Sequence, residues 1–183
     1  MVDRMKIFKH ELDLIMDDEV KEFTIACMKE APEYVFIDCP SSSTGKYHPT
    51  SELGGDGNIL HSKRVFAVAY ELCRGLDCEE NRDAIIAAAL LHDLAKQGLK
   101  KTGHTIKSHP QVMAKLIGDV YNNEFKGKIE ANKANIIYWA VFYHYGPWSQ
   151  AKDKKPLCEY TPEQLCVYVS DYVASKRFIH VQI

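Results

Sequence analysis

The stretch Ala84-Ile85-Ile86-Ala87-Ala88-Ala89-Leu90-Leu91-His92-Asp93-Leu94-Ala95-Lys96 decides how the rest of the chain is read. Its pattern predicts a helix through Ala84 to about Leu94 with Ile85 and Ala88 on the inward face. His92 lies seven residues after Ile85 and so falls on that face, and Asp93 follows at once. Gly98 and Gly103 mark the break. A single inward histidine is most often a hydrogen-bonded core residue. An inward aspartate is harder to accommodate, because an unpaired buried carboxylate costs several kcal/mol and must be paired, protonated or bound to metal. Neighbours on a helix point about 100° apart, so His92 and Asp93 reach one point only near a helix end.

The same arrangement recurs on other predicted helices. Upstream, a helix from about Leu60 to Cys73 carries Val65, Val68 and Leu72 on one face, and His61 joins that stripe. Asp77-Cys78-Glu79-Glu80 fits a capping box opening the next helix. Downstream, a helix from about Ser108 to Asn122 puts His109 in line with Val112, Met113 and Leu116, with Pro110 in its first turn. A helix from about Ile129 to Tyr145 aligns His144 with Ile137, Ala140 and Val141, and Gly146-Pro147 stops it. Thr161-Pro162-Glu163-Gln164 is a strong start signal for a last helix, which runs to about Lys176 and carries Asp171 with Val167 and Ala174. Four histidines and two aspartates facing the interior from five helices ask for one cause, and a metal centre supplies it. Imidazole and carboxylate suit Zn, Fe, Mn, Co or Ni. Six ligands suffice for two ions ~3.5–4 Å apart with positions left for water and substrate.

Composition bounds the rest. The 183 residues fit one domain, with 46% hydrophobic and 26% charged residues. The net charge of −2 argues against a long nucleic-acid partner but leaves a small anionic ligand open. The longest apolar run, Ala84 to Leu91, falls far short of the ~20 residues of a membrane span, and no signal-peptide core opens the chain. Cysteines at 27, 39, 73, 78, 158 and 166 form no Cys-x-x-Cys pair and read as reduced thiols. The expected location is cytoplasmic. Residues 5–31 have apolar positions at helical spacing, and Pro32 closes that region. Pro40 to Asn58 is a Ser- and Gly-rich loop without periodicity. Phe178 to Ile183 reads as a short strand or an extended arm. The fold class is all-α, a single-domain helical bundle of about 6–8 helices over residues 1–183, with a metal-binding core at about 60–176 and N-terminal helices and a loop in 1–58.

These residues resemble the HD-domain metal-dependent phosphohydrolase superfamily. Its pattern is a His, a His-Asp pair and a distant Asp. Here these are His61 in Leu-His-Ser-Lys-Arg-Val, His92-Asp93 in Leu-Leu-His-Asp-Leu-Ala-Lys, and Asp171 in Val-Ser-Asp-Tyr-Val-Ala-Ser-Lys. His109 and His144 resemble the two extra histidines of the dinuclear branch, with His104 competing for the place of His109. Gly146-Pro147-Trp148 stands where the cyclic-dinucleotide phosphodiesterases of the superfamily have Gly-Tyr-Pro, which disfavours cyclic di-GMP. Thr44-Gly45-Lys46-Tyr47-His48-Pro49, followed by Gly54 to Gly57, is similar to a segment before the first metal histidine in some bacterial and phage members. That likeness puts Lys46, Tyr47 and His48 near the mouth of the site; a plain surface loop is the equal alternative. Gly45-Lys46 is not a P-loop, since Tyr47 replaces the required Ser/Thr.

The resemblance implies one or two divalent ions (Mn, Fe, Co, Ni or Zn, or Mg) that lower the pKa of bound water toward ~7. His61, His92, Asp93, His109, His144 and Asp171 are the ligands it implies, with Asp93 bridging two ions or orienting water. Lys96, one turn after His92, is a candidate phosphate contact, with a helix-terminal lysine as the alternative. Lys63 and Arg64 are further cationic candidates. Lys152, Lys154 and Lys155 either screen a polyphosphate or are solvated surface. Trp148, with Trp139, Tyr143 and Tyr145, is placed to stack a base or to fill core. The implied partner is a small phosphorylated substrate, a nucleotide above all, with no long nucleic acid and no membrane; a homo-oligomer is compatible. A phosphodiesterase or exonuclease on short oligonucleotides, an iron oxygenase-like relative and a non-catalytic metal- or nucleotide-binding module are the other readings.

Overall fold

A computed structural model describes residues 3–183. Met1 and Val2, which open the stretch read as lacking a signal core, lie outside the described residues. The α-helices in chain order are α1 (Arg4–Ile7), α2 (Lys9–Asp13), α3 (Asp18–Glu30), α4 (Gly57–Gly75), α5 (Arg82–Leu91), α6 (His109–Val120), α7 (Ala131–Tyr143) and α8 (Pro162–Ala174). The class is all-α, as the spacing predicts, and no strand occurs among the described residues. Among the described residues no helix is long and apolar enough to cross a membrane.

The decisive stretch becomes the centre of the bundle. Ala84 to Leu91 is buried throughout, because α5 packs against α4, α7, α8 and α3 together. A helix that is apolar all round has no solvent face to offer and must sit inside. Ala87, Ala88 and Ala89 keep its girth small, so four neighbours can close on it. Leu90 and Leu91 are fully buried, and truncating either to alanine would cost ~2–5 kcal/mol. The helix stops at His92, and the turn from His92 to Gln97 remains buried. Tyr34 clamps this turn: its hydroxyl donates to the Gly98 carbonyl (2.8 Å) and accepts from the Gln97 N–H (2.8 Å).

Two elements differ from the sequence reading. The N-terminal region is broken at Asp17 rather than continuous. Asp17 caps α3 by accepting from the Val20 N–H (3.0 Å), while the Asp83 carboxylate takes the N–H groups of Met16 (2.8 Å) and Asp17 (2.6 Å). The predicted capping box at Asp77 does not form. Asp77 has φ +55°, α4 runs on to Gly75, and a 3₁₀ turn at Glu79–Asn81 leads into α5. Asp77 is used to reverse the chain, a conformation an aspartate tolerates better than most residues. The Thr161–Gln164 box does form, with both reciprocal bonds. Beyond α8 the chain turns, with the Ile179 N–H donating to the Lys176 carbonyl (3.0 Å), and Arg64 holds it by donating to the Ile179 carbonyl (2.9 Å).

The long Ser- and Gly-rich loop is ordered against α4. Ser41 N–H donates to the Glu52 carbonyl (3.0 Å), Cys39 N–H to Gly55 (2.7 Å) and Asn58 N–H to Cys39 (2.8 Å). Gly57 is what permits this approach, since a Cβ there would stand 1.8 Å from the Glu52 carbonyl oxygen. The loop is thereby pressed under the first turns of α4.

Candidate metal centre

The histidines on α5, α6 and α7 share one local device. The Nδ1–H of His92 donates to the carbonyl of Ala89 (2.7 Å), that of His109 to Ile106 (2.6 Å) and that of His144 to Val141 (2.7 Å). In each case the acceptor is the carbonyl three residues earlier. That bond fixes the tautomer and leaves Nε2 as a free lone pair aimed inward. His92 and His144 follow the last residues of α5 and α7, and His109 is the first residue of α6. Three helix ends therefore converge on one point, which is the condition for adjacent residues such as His92 and Asp93 to reach the same place.

Asp93 is the hub. Its Oδ2 lies 3.5 Å from His92 Nε2 and 3.9 Å from His61 Nε2. Its Oδ1 lies 3.0 Å from His109 Nε2 and 3.6 Å from His144 Nε2. The two oxygens of one carboxylate thus face two different pairs of imidazoles. Asp171, delivered by α8, accepts from His61 Nε2 (3.0 Å) and lies 4.0 Å from His92 Nε2. Two triads, His61/His92/Asp171 and His92/Asp93/His144, keep their ligand atoms within 4.8 Å of one another. The four histidines and Asp93 are almost wholly buried; Asp171 is the one carboxylate here with appreciable exposure, 20% of its side chain.

The protonation pattern fits a site made for a cation. Burial pushes the Asp93 carboxyl up, but Lys96, which donates to its Oδ2, and the histidines around it hold it well below the usual range. Asp171 is likewise held low, by His61, against its own burial. Burial pulls His61 down, yet Asp171 and Glu52 on its two nitrogens push it up to about 9, so a proton occupies the place between carboxylates. Burial lowers His109 despite Asp93. His92 Nε2 and Asp93 Oδ1 are buried without a hydrogen-bond partner. Orphaned buried acceptors of this kind cost ~1–3 kcal/mol each unless something is shared with them. Neutral imidazoles and carboxylates are the donor set of a divalent transition metal, and the residues present fit one.

The family model for the HD domain matches residues 58–176. The chain belongs to the HD-domain family. No curated protein and no solved structure matches it. The family is a superfamily of metal-dependent hydrolases, and the clusters of His, Asp and Glu in this HD domain accord with a bound divalent metal.

The remaining candidates of the HD domain fall into two groups. His104 is exposed and its ring bonds to the Thr102 carbonyl (3.2 Å), so His109 and not His104 is brought to Asp93. Lys96 is buried and pairs with Asp93. His48 lies beside His61, with ring centroids 4.9 Å apart. Lys46 and Tyr47 stand further out, the lysine ammonium 5.1 Å from the tyrosine ring. Trp148 is half exposed and lies 6.2 Å from Tyr145, whose ring meets His109 edge-on at 4.7 Å. Two cationic candidates are placed elsewhere and correct the sequence reading. Lys63 lies about 200° round α4 from His61, as ~100° per residue requires, and is spent on Glu11 (2.8 Å to each oxygen). Arg64 donates to Glu52 and to the Ile179 carbonyl, which leaves it a buried brace beside the centre rather than a substrate contact.

The residue that sequence reasoning missed is Glu52. It is fully buried, accepts from His48 Nδ1 (2.8 Å) and Arg64, and faces His61 Nδ1 at 3.4 Å. It stands behind His61, near Nδ1, where backbone carbonyls stand behind the other three histidines, but the geometry is not that of a hydrogen bond. Burial raises its carboxyl, but the hydrogen bonds from His48 and Arg64 and the nearby His61 hold it far below the ordinary carboxylate range. A loop without periodicity gave no sign that one glutamate in it was buried.

Proposed function

We propose that this HD domain is a cytoplasmic metal-dependent phosphohydrolase acting on a nucleotide or a related phosphate ester. One observation carries the reading: the two oxygens of Asp93 address two separate pairs of inward-facing Nε2 atoms. His61, His92 and Asp171 would hold one divalent ion, and His109 and His144 a second, with Asp93 shared. When bound, such ions polarise a phosphoryl oxygen and make water acidic enough to act as a nucleophile near neutral pH. The chain's own residues do the rest. The Ala89, Ile106 and Val141 carbonyls hold His92, His109 and His144 in the tautomer and orientation a ligand needs, and the Glu52 carboxylate stands behind His61. The Lys96 ammonium orients Asp93 and offers its remaining donors to a phosphoryl oxygen, which compensates the charge developing in the transition state. Asp171 marks the side on which solvent and substrate enter. Trp148, with an open ring face, supports a substrate that carries a base.

The test is a phosphate-release screen over nucleoside mono-, di- and triphosphates and dinucleotides, each with Mn, Co, Ni, Mg or Fe. Release with at least one metal, lost in Asp93→Ala together with bound metal by elemental analysis, is the expected outcome. Oxygen uptake by an iron-loaded protein without phosphate release would replace this reading by the oxygenase one. Silence in both assays would leave a binding module.

A further inference from the structure

The exposed aromatic residues around the mouth of the centre form a continuous strip. From His109 the contacts pass to Tyr145 (4.7 Å) and from there to Trp148 (6.2 Å). Trp148 then lies nearly parallel to Tyr172, with centroids 6.1 Å and planes 14° apart. The Lys176 ammonium sits 3.8 Å from the Tyr172 ring and 5.3 Å from the Tyr47 ring, and Lys46 sits 5.1 Å from Tyr47. Trp148, Tyr172 and Tyr47 are 50%, 44% and 55% exposed, with Lys176 seated on one side of Tyr172. The loop is fastened to the end of α8 by the Arg177 N–H, which donates to the Tyr47 carbonyl (2.9 Å). Tyr172 directly follows Asp171, the ligand candidate with appreciable exposure, on α8.

The charges along it are free. The lysines that pair with carboxylates among the described residues are Lys9, Lys63, Lys96, Lys101, Lys115 and Lys133; Lys46 and Lys176 are not among them. Lys46 and Lys176 thus lie against part-exposed rings with no carboxylate partner. One nucleotide uses one ring and one cation. Here a ring, a cation and a second ring follow in turn, which is the order base, phosphate, base. Aromatic platforms with cations tracking the backbone are how proteins hold single strands without reading their sequence. A duplex, whose bases are paired and stacked, offers no faces to such a strip.

Resting on the hydrolase reading above, we propose that Tyr145, Trp148, Tyr172, Lys176, Tyr47 and Lys46 form a track for a single-stranded oligonucleotide end, and that the centre cleaves a phosphodiester of that strand. The reaction adds water across one P–O bond: hydroxide goes to phosphorus, and the leaving sugar oxygen takes the proton.

Binding is measured by fluorescence anisotropy on the whole chain in EDTA, where nothing is cleaved. The probes are labelled oligoadenylates of about six nucleotides, within the range one such surface covers. Ribose and deoxyribose versions separate RNA from DNA, with AMP and a blunt duplex as competitors. Both single strands, or one of them, should bind about 10-fold or more tighter than AMP, given the worth of each stacked base. Tyr47→Ala should weaken the strand about 10-fold, and Lys176→Gln should flatten the plot of log K against log salt by about 0.7. Both residues are at the surface, and circular dichroism checks that the fold is kept. AMP competing as well as the strand, or both variants binding like wild type, would overturn the track. A strand that binds as expected to a protein that releases no phosphate with any metal would remove the hydrolase reading and leave the track. AMP hydrolysis without strand binding would do the reverse.

Discussion

Replacing Glu52 with glutamine removes one negative charge at nearly constant shape. In the native protein that charge is fully buried and answers Arg64, His48 and His61 at once. The Arg64 side chain is only 8% exposed, and the change leaves its charge without a carboxylate partner. Breaking a buried ion pair from one side costs ~3–5 kcal/mol, and the glutamine oxygen still accepts one bond, so the lower figure, ~3 kcal/mol, applies. For a chain of this size ~1 kcal/mol moves Tm by ~2–4 °C, so the metal-free variant should melt roughly 6–12 °C lower by circular dichroism. The same change takes away the carboxylate behind His61, and losing such a partner weakens metal affinity by ~10–100-fold, readable by calorimetry. The double variant Glu52→Gln/Arg64→Met should recover part of the lost stability, because the uncompensated charge goes with it. A Glu52→Gln protein that melts within about 2 °C of wild type, a shift worth less than ~1 kcal/mol, would refute the ion-pair reasoning. Unchanged metal affinity would refute the role behind His61.

Three further outcomes are expected. His109→Ala should lower the metal content below that of wild type while His104→Ala leaves it unchanged, since only His109 reaches Asp93; equal content in both variants by elemental analysis would count against the second ligand pair. Gly57→Ala should loosen the loop against α4, because its Cβ would fall 1.8 Å from the Glu52 carbonyl; faster amide exchange at Cys39, Ser41 and Asn58 is the readout. Asp17→Ala removes the cap of α3 and should cost ~1 kcal/mol at neutral pH. Burial pushes the Asp17 carboxyl up, but Lys133 and the Val20 N–H hold it below its ordinary value. Its contribution is therefore full above the unfolded pKa of about 3.9 and fades as pH falls through the lower folded value. The Tm gap between wild type and variant should narrow as pH falls below the unfolded value of about 3.9 and close below the folded one; a gap that stays constant through acid would show that the cap acts without its charge.

The sequence by itself determined the class and the inward set. Apolar spacing aligned His61, His109, His144 and Asp171 with buried residues on four helices, and the run ending in His92-Asp93 put the last pair beside them. Periodicity can do this because a helix face is a property of one segment, and burial of an ionisable group is costly enough to be diagnostic. Tertiary structure decided what the segments could not. The choice between His104 and His109 depended on which ring reaches Asp93 across three converging helix ends. Lys63 and Arg64 were both plausible cations until Glu11 and Glu52, 52 and 12 residues away in the chain, were seen to claim them. Glu52 itself was invisible, because a loop has no period and its burial comes from a glycine at position 57 that lets the backbone close in. Charge partners and loop burial are relations between distant segments, and only the folded chain states them.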